Sequence, residues 1–167
     1  GQSLQAALVN FAHQGGHVHL IDTPGYPVFS GQAMAALAGV DTALVVINAQ
    51  TGIELATTRM MNAAAARGLA RMIVINKIDA ESLDLPRLIS VIQAQFGKHC
   101  LVLDLPAHDR HDMVDVLTQS GGDSDFDSVA NAHRALIDQI IEEDETLMAR
   151  YLEDDTEPSA AELHGVF

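Results

Sequence analysis

Cysteine is almost missing from this chain. Cys100 is the only one in 167 residues, which excludes an intramolecular disulfide and a cysteine-built zinc cluster. It stands in an apolar run, where an inert, buried thiol is expected. Basic side chains are scarce as well, 9 against 23 acidic ones, for a net charge of −14. That balance argues against a broad basic face able to grip nucleic acid, so no direct sequence-specific nucleic-acid binding is expected of these residues. No apolar run is long enough to span a membrane, no secretory signal opens the chain, and no repeat period is visible. The expectation is a reducing, cytoplasmic setting without a membrane partner.

What is present is apolar material in the right places. Hydrophobic residues make up 48% of the chain, enough for one α/β domain or one domain carrying an insertion. Leu4 to Ala12 and His17 to Ile21 read as strands around the turn signal Gln14-Gly15-Gly16, which predicts a hairpin. Gly31 to Leu37 suits a helix, with Gly39 as its stop. Thr42 to Asn48 is an unbroken apolar run, the pattern of a strand covered on both faces. Glu54 to Arg67 predicts a helix ended by Gly68, Arg71 to Asn76 a second buried strand, and Leu85 to Phe96 an amphipathic helix with Pro86 in its first turn. Alternation of strand and helix from Val18 to Phe96 predicts a doubly wound, mostly parallel sheet with helices on both faces.

The character changes beyond Gly97. Cys100 to Leu105 and Met113 to Leu117 are short strand candidates, and Gln119 to Asp127 is a loop rich in Gly, Ser and Asp. Val129 to Leu152 reads as one long helix with Ala132, Leu136, Ile140, Leu147 and Tyr151 on its apolar stripe. Glu142-Glu143-Asp144-Glu145 would be its solvated face. The division expected is therefore residues 1–97 as one region and 98–167 as an inserted α+β subdomain.

Two short motifs sit where strands end. Asp22-Thr23-Pro24-Gly25 follows the strand ending at Ile21, at the carboxyl edge where open α/β sheets place their ligands. A carboxylate there can hold Mg²⁺ through water, and Gly25 lets a main-chain N–H approach a phosphate with no Cβ in the way. The same four residues would also make an ordinary turn. Asn76-Lys77-Ile78-Asp79 follows the strand ending at Asn76. The Asp79 carboxylate can accept from the N1–H and the 2-amine of guanine together, which adenine cannot supply. Asn76 can bond the other edge of the base and the Lys77 stem can cover its face. Taken alone, this is equally the composition of a polar loop. His17 and His19 share one face of a strand, and His108-Asp109-Arg110-His111-Asp112 is rich in ligand types. The latter follows Pro106 in a loop, where such residues are expected to be solvated.

Order and placement tie the two motifs together, a phosphate and Mg²⁺ loop and a guanine loop with one strand–helix unit between them. They resemble the third and fourth nucleotide motifs of translational GTPases. The tail, from Ala132-His133-Arg134 through Glu142-Glu143-Asp144-Glu145 to Tyr151-Leu152, resembles the closing helix of the insertion that elongation factor G carries in its GTP-binding domain. Met113 to Leu117 is similar to that insertion's strand. The resemblance implies GTP, GDP and Mg²⁺ as ligands, the ribosome as partner and GTP hydrolysis by the intact protein. It gives Asp22, Thr23, Pro24 and Gly25 to phosphate and metal, and Asn76, Lys77 and Asp79 to guanine. Ungapped counting back from Asp22 gives Ser3 the place of the family's Mg²⁺-binding switch threonine.

Departures from the family pattern matter as much. No Gly-x-x-x-x-Gly-Lys-Ser/Thr occurs in the 167 residues; the phosphate cradle is expected upstream of Gly1 or lost, and these residues alone are expected to be inactive. The family's fifth motif is also unseen. Tyr26 stands where translocation factors place the histidine that positions the attacking water, which is similar to the elongation-factor-G-like paralogues. Two other readings compete. One is a nucleotide-incompetent interaction module of the same fold; the other is an unrelated doubly wound enzyme with Asp22 as a catalytic acid, though Thr23 lacks a base beside it.

Overall fold

A computed structural model describes residues 3–13, 15–154 and 158–163. The chain divides into two compact units, Gly1–Lys77 and Ile78–Phe167.

In the first unit, β1 (Ala7–His13) and β2 (Gly16–Asp22) form the expected antiparallel hairpin, in register from Ala7↔Asp22 to His13↔Gly16. Gly15 turns it with φ 83°, a left-handed conformation that side chains with a Cβ disfavour. Apolar residues on both strands, among them Leu8, Phe11 and Leu20, are exposed. After a single turn of 3₁₀ helix at Pro27–Phe29 comes α1 (Ser30–Ala36). Then β3 (Thr42–Asn48), α2 (Leu55–Ala65) and β4 (Ala70–Asn76) make a strand–helix–strand crossover. The two strands pair in parallel without a slip, from Thr42↔Ala70 to Asn48↔Asn76.

α2 starts where the sequence says it should. Glu54 caps it, its side chain accepting from the Thr57 N–H while the Thr57 hydroxyl accepts from the Glu54 N–H. Thr57, Met61 and Ala64 fall on one helical stripe, and all three are buried. Gly68, at φ 68°, ends the turn beyond it. Ala43 and Ile47 are buried on one face of the strand pair. Leu44, Val46, Met72 and Val74 on the other face are exposed, so the expectation of cover on both faces holds for one of them among the described residues. β2 is not hydrogen-bonded to β3 or β4: the described strands form three separate pairs, one parallel and two antiparallel.

The second unit opens with α3 (Leu85–Phe96). The Asp84 carboxylate accepts from the Arg87 N–H, Pro86 occupies the first turn, and Gly97 terminates the helix at φ 114°. That φ lies in the region a side chain with a Cβ disfavours, so glycine is needed there. The strand expected at Cys100–Leu105 is found later, as β5 (Asp104–Ala107), because the main chain before it is engaged otherwise: the Gln93 amide donates to the Cys100 carbonyl. β5 pairs antiparallel with β6 (Asp112–Asp115). Cys100 is half-buried rather than buried.

One core fills this unit. Leu105, Ala107, Val114 and Val116 pack with Val129, Leu136, Ile137, Ile140 and Ile141 of α4 (Val129–Glu142) and with Leu163 of α6 (Ala160–Leu163). His133 joins the core with its Nδ1 2.6 Å from the Val116 carbonyl oxygen, an arrangement for a ring N–H donor. The single long helix expected over Val129–Leu152 is broken. α4 ends at Glu142 and α5 runs from Glu145 to Asp154. Asp144 causes the restart: its carboxylate accepts from the N–H groups of Thr146 and Leu147, two donors that an unbroken helix would direct at carbonyls one turn earlier. Glu142, Glu143 and Glu145 are exposed, as a solvated acidic run should be. Just before α6 the N–H and hydroxyl of Ser159 both donate to the Glu162 carboxylate. The Arg150 guanidinium, 2.6 Å away, and those Ser159 bonds hold Glu162 down at about 2.

Asp104 stands opposite Asp115 across the β5–β6 ladder. Burial, and then the Asp115 charge, push the Asp104 carboxyl above the usual carboxylate range. A carboxyl raised by folding binds its proton more tightly in the native state, so its ionisation costs stability as pH rises past that range. Asp104→Asn is therefore expected to stabilise the protein at neutral pH, with the gain vanishing as pH falls below 3.8, the ordinary value for the group. Urea denaturation at neutral and acidic pH checks this; a gain independent of pH would contradict it.

Candidate nucleotide site

Asp22 is the last residue of β2 and is exposed. Its Oδ2 accepts a 3.1 Å hydrogen bond from the Ser3 hydroxyl. The structure thus brings together two oxygens that the sequence places 19 positions apart. Both groups are hard oxygen donors of the kind Mg²⁺ takes.

A residue absent from the sequence-based expectations bonds the main chain beside Ser3. Gln32, on α1, accepts from the Ala6 N–H at 3.0 Å and donates to the Leu4 carbonyl at 3.4 Å. It thereby fastens the segment that follows Ser3. Its partners lie 26 and 28 residues away, so no local pattern could have revealed it.

Thr23 is half-buried and Pro24 buried, which anchors the turn, whereas Gly25 and Tyr26 face outward. A Cβ at Gly25 would meet nothing within 4 Å. The fold itself therefore makes no use of the missing side chain, in contrast to Gly97. Tyr26 is 48% exposed and its carbonyl accepts from the Phe29 N–H at 2.9 Å, which starts the 3₁₀ turn.

At the ends of β3 and β4, Asn48 and Asn76 are register partners. The Ala49 N–H donates to the Asn76 carbonyl, and the Asn48 side chain accepts from the Gln50 N–H. Asn76 Oδ1 accepts from the Lys77 N–H at 2.8 Å. This bond accompanies a left-handed Lys77, φ 61°, an unusual conformation for a residue with a long side chain. Asn76 and Lys77 are exposed.

Asp79 belongs to the second unit, in an exposed turn. The carbonyls on either side of it, those of Ile78 and Ala80, both accept from Arg110 Nη1, at 2.9 and 3.0 Å. Arg110 lies in the segment expected to be solvated; it is half-buried instead. The ligand-rich residues beside it gather no metal set. Among the described residues no three His, Cys, Asp or Glu side chains converge. His108 meets Asp112 at 3.7 Å on the surface, and His19 pairs with Asn10 at 2.7 Å. No described helix is long and apolar enough to cross a membrane.

Comparison with known proteins adds an independent line. The family described as the elongation factor Tu GTP binding domain matches residues 1–156. An elongation factor G-like protein of Mycobacterium tuberculosis is 34% identical over 170 residues, covering 93% of this chain and 24% of that protein. Peptide chain release factor 3 of Buchnera aphidicola is 32% identical over 106 residues, 64% of this chain and 20% of that protein. A crystal structure of a Thermus thermophilus protein superposes with a TM-score of 0.80 at 26% identity, covering 99% of this chain and 27% of that one. The chain thus spans about a quarter or less of the length of the curated relatives it matches.

Removing the Gln32 amide is expected to free the segment beside Ser3. One lost hydrogen bond of about 1 kcal/mol corresponds to about fivefold faster opening. Hydrogen exchange at the Ala6 amide in Gln32→Ala measures this; an unchanged rate would show that the segment holds itself.

Proposed function

This chain belongs to the family of the elongation factor Tu GTP-binding domain, and from that premise we propose that it reads the guanine nucleotide in an elongation-factor-G-like translation factor that hydrolyses GTP on the ribosome. The observation that carries the reading is the pairing of Ser3 with Asp22 at the carboxyl end of β2, beside a glycine whose missing side chain the fold does not require. Asp22, through water, and Ser3 would hold Mg²⁺. The metal supplies charge neutralisation on the phosphates. Thr23 and Pro24 set the turn, and the Gly25 N–H would meet the terminal phosphate. Asn76, Lys77 and Asp79 would take the base, with Asp79 accepting from both donors of guanine. Residues 98–167 would be the insertion subdomain, facing solvent or protein partners with its acidic surface.

Guanine specificity follows from a penalty as well as an attraction. A carboxylate aimed at two N–H donors is left unpaired by adenine, and such failures discriminate by orders of magnitude. Titrating the full-length protein with a fluorescent GTP analogue in Mg²⁺ tests the reading. GTP and GDP are expected to displace it at least about 100-fold better than ATP. Equal displacement by ATP, or no binding, would favour an interaction module of the same fold.

Tyr26 would lie beside the attacking water. Its hydroxyl can contact water, but it lacks the ring nitrogens of a histidine. Phosphoryl transfer depends on positioning, and a side chain of different reach there slows or re-times hydrolysis. Tyr26→His is expected to raise ribosome-stimulated GTP turnover about tenfold or more. Unchanged turnover would remove Tyr26 from the reaction.

A further inference from the structure

We infer that Arg110 is a positioning residue for guanine recognition, holding the main chain on both sides of Asp79. The inference rests on Asp79 reading guanine, and it goes beyond that reading by assigning a task to the β5–β6 turn.

The geometry is specific to one residue. Arg110 Nη1 donates to the carbonyls of Ile78 and Ala80, 2.9 and 3.0 Å away. The peptide plane entering Asp79 and the plane beyond Ala80 are thus tied to one nitrogen. An arginine with an ordinary surface role lies in solvent or pairs with a carboxylate, and this chain offers 23 acidic residues. Arg110 instead commits its guanidinium to two neutral main-chain acceptors that flank a single exposed carboxylate.

The turn that presents Arg110 is itself held under constraint. His108, Asp109 and Arg110 have φ values of 52°, 56° and 67°, three successive left-handed residues with side chains. Such a run is disfavoured for each residue and persists only where surrounding bonds enforce it. The Asp125 carboxylate supplies them, accepting from the Asp109 N–H at 3.2 Å and the Arg110 N–H at 2.7 Å. Asp125 is fixed in turn by its own N–H, which donates to the Pro106 carbonyl at 2.8 Å. A chain of bonds therefore runs from β5 through Asp125 and Arg110 to the residue that would meet the base.

A carboxylate bridging two donors is sensitive to aim. Inosine keeps the N1–H of guanosine and lacks its 2-amine, so the guanosine-over-inosine preference reports how well Asp79 spans both. GDP and IDP affinities are measured in the full-length protein for wild type, Asp79→Asn, Arg110→Met and Arg110→Lys. Hydrogen exchange across residues 78–81 is followed in the nucleotide-free protein. Asp79→Asn is expected to abolish the preference. Arg110→Met is expected to weaken GDP about tenfold and IDP less, to shrink the preference about threefold or more, and to speed exchange at residues 78–81. Arg110→Lys, which keeps a donor and the fold, is expected to fall between. If Arg110→Met and Arg110→Lys leave the preference intact, or weaken GDP and IDP equally, Arg110 is structural only and the inference is overturned. If Asp79→Asn leaves the preference intact, the guanine reading itself falls, and the inference with it.

Discussion

A parallel pair of strands cannot be closed by a tight turn; it needs a crossover, and α2 supplies one between β3 and β4. Because the pair runs without a slip, Asn48 and Asn76 finish side by side and the chain leaves both strands at one edge. A shift of one residue would turn Ala43 and Ile47 away from their buried face and end the strands unevenly. The placement of the Asn76–Lys77 corner follows from that register. So does the bond by which Ala49 donates to the Asn76 carbonyl. Chemistry at the corner is therefore as well defined as the burial of a few apolar side chains.

The two loops use different means to hold a functional group on exposed backbone. At Asp22 the means is convergence. A helix side chain, Gln32, fastens the segment after Ser3, and that segment delivers a hydroxyl to a carboxylate. Around Asp79 the means is a clamp on the main chain, from Arg110 on a turn that Asp125 stabilises. In both, a polar side chain satisfies main-chain groups that would otherwise be left to water. The group expected to meet the ligand is left outward.

Much of this was legible in the residues. Pro86 in the first turn of α3 and the stop at Gly68 are local signals, and each sits where the pattern puts it. The Asp22 and Asn76 motifs were visible because strand ends and turn residues are local too. Counting back to Ser3 led to the hydroxyl that meets Asp22. What escaped was non-local or competitive. Arg110 reads as a solvated loop residue because its acceptors lie 30 and 32 positions away. Asp144 reads as one more acid on a helix face, and only its competition for the Thr146 and Leu147 N–H groups breaks the helix. The uniform apolar run of β3 does not tell which face is covered, and the exposed Leu44 and Val46 lie on the face it left undecided.

The central claim is that the residues after β2 and β4 meet the two ends of one guanine nucleotide. A crystal structure of the full-length protein grown with GDP and Mg²⁺ tests it most directly. The account predicts the Asp79 carboxylate within hydrogen-bond distance of both N1 and the 2-amine of the base, with Ser3 or Asp22 linked to the metal directly or through one water. A nucleotide bound elsewhere, or a base whose N1 edge faces away from Asp79, would contradict it.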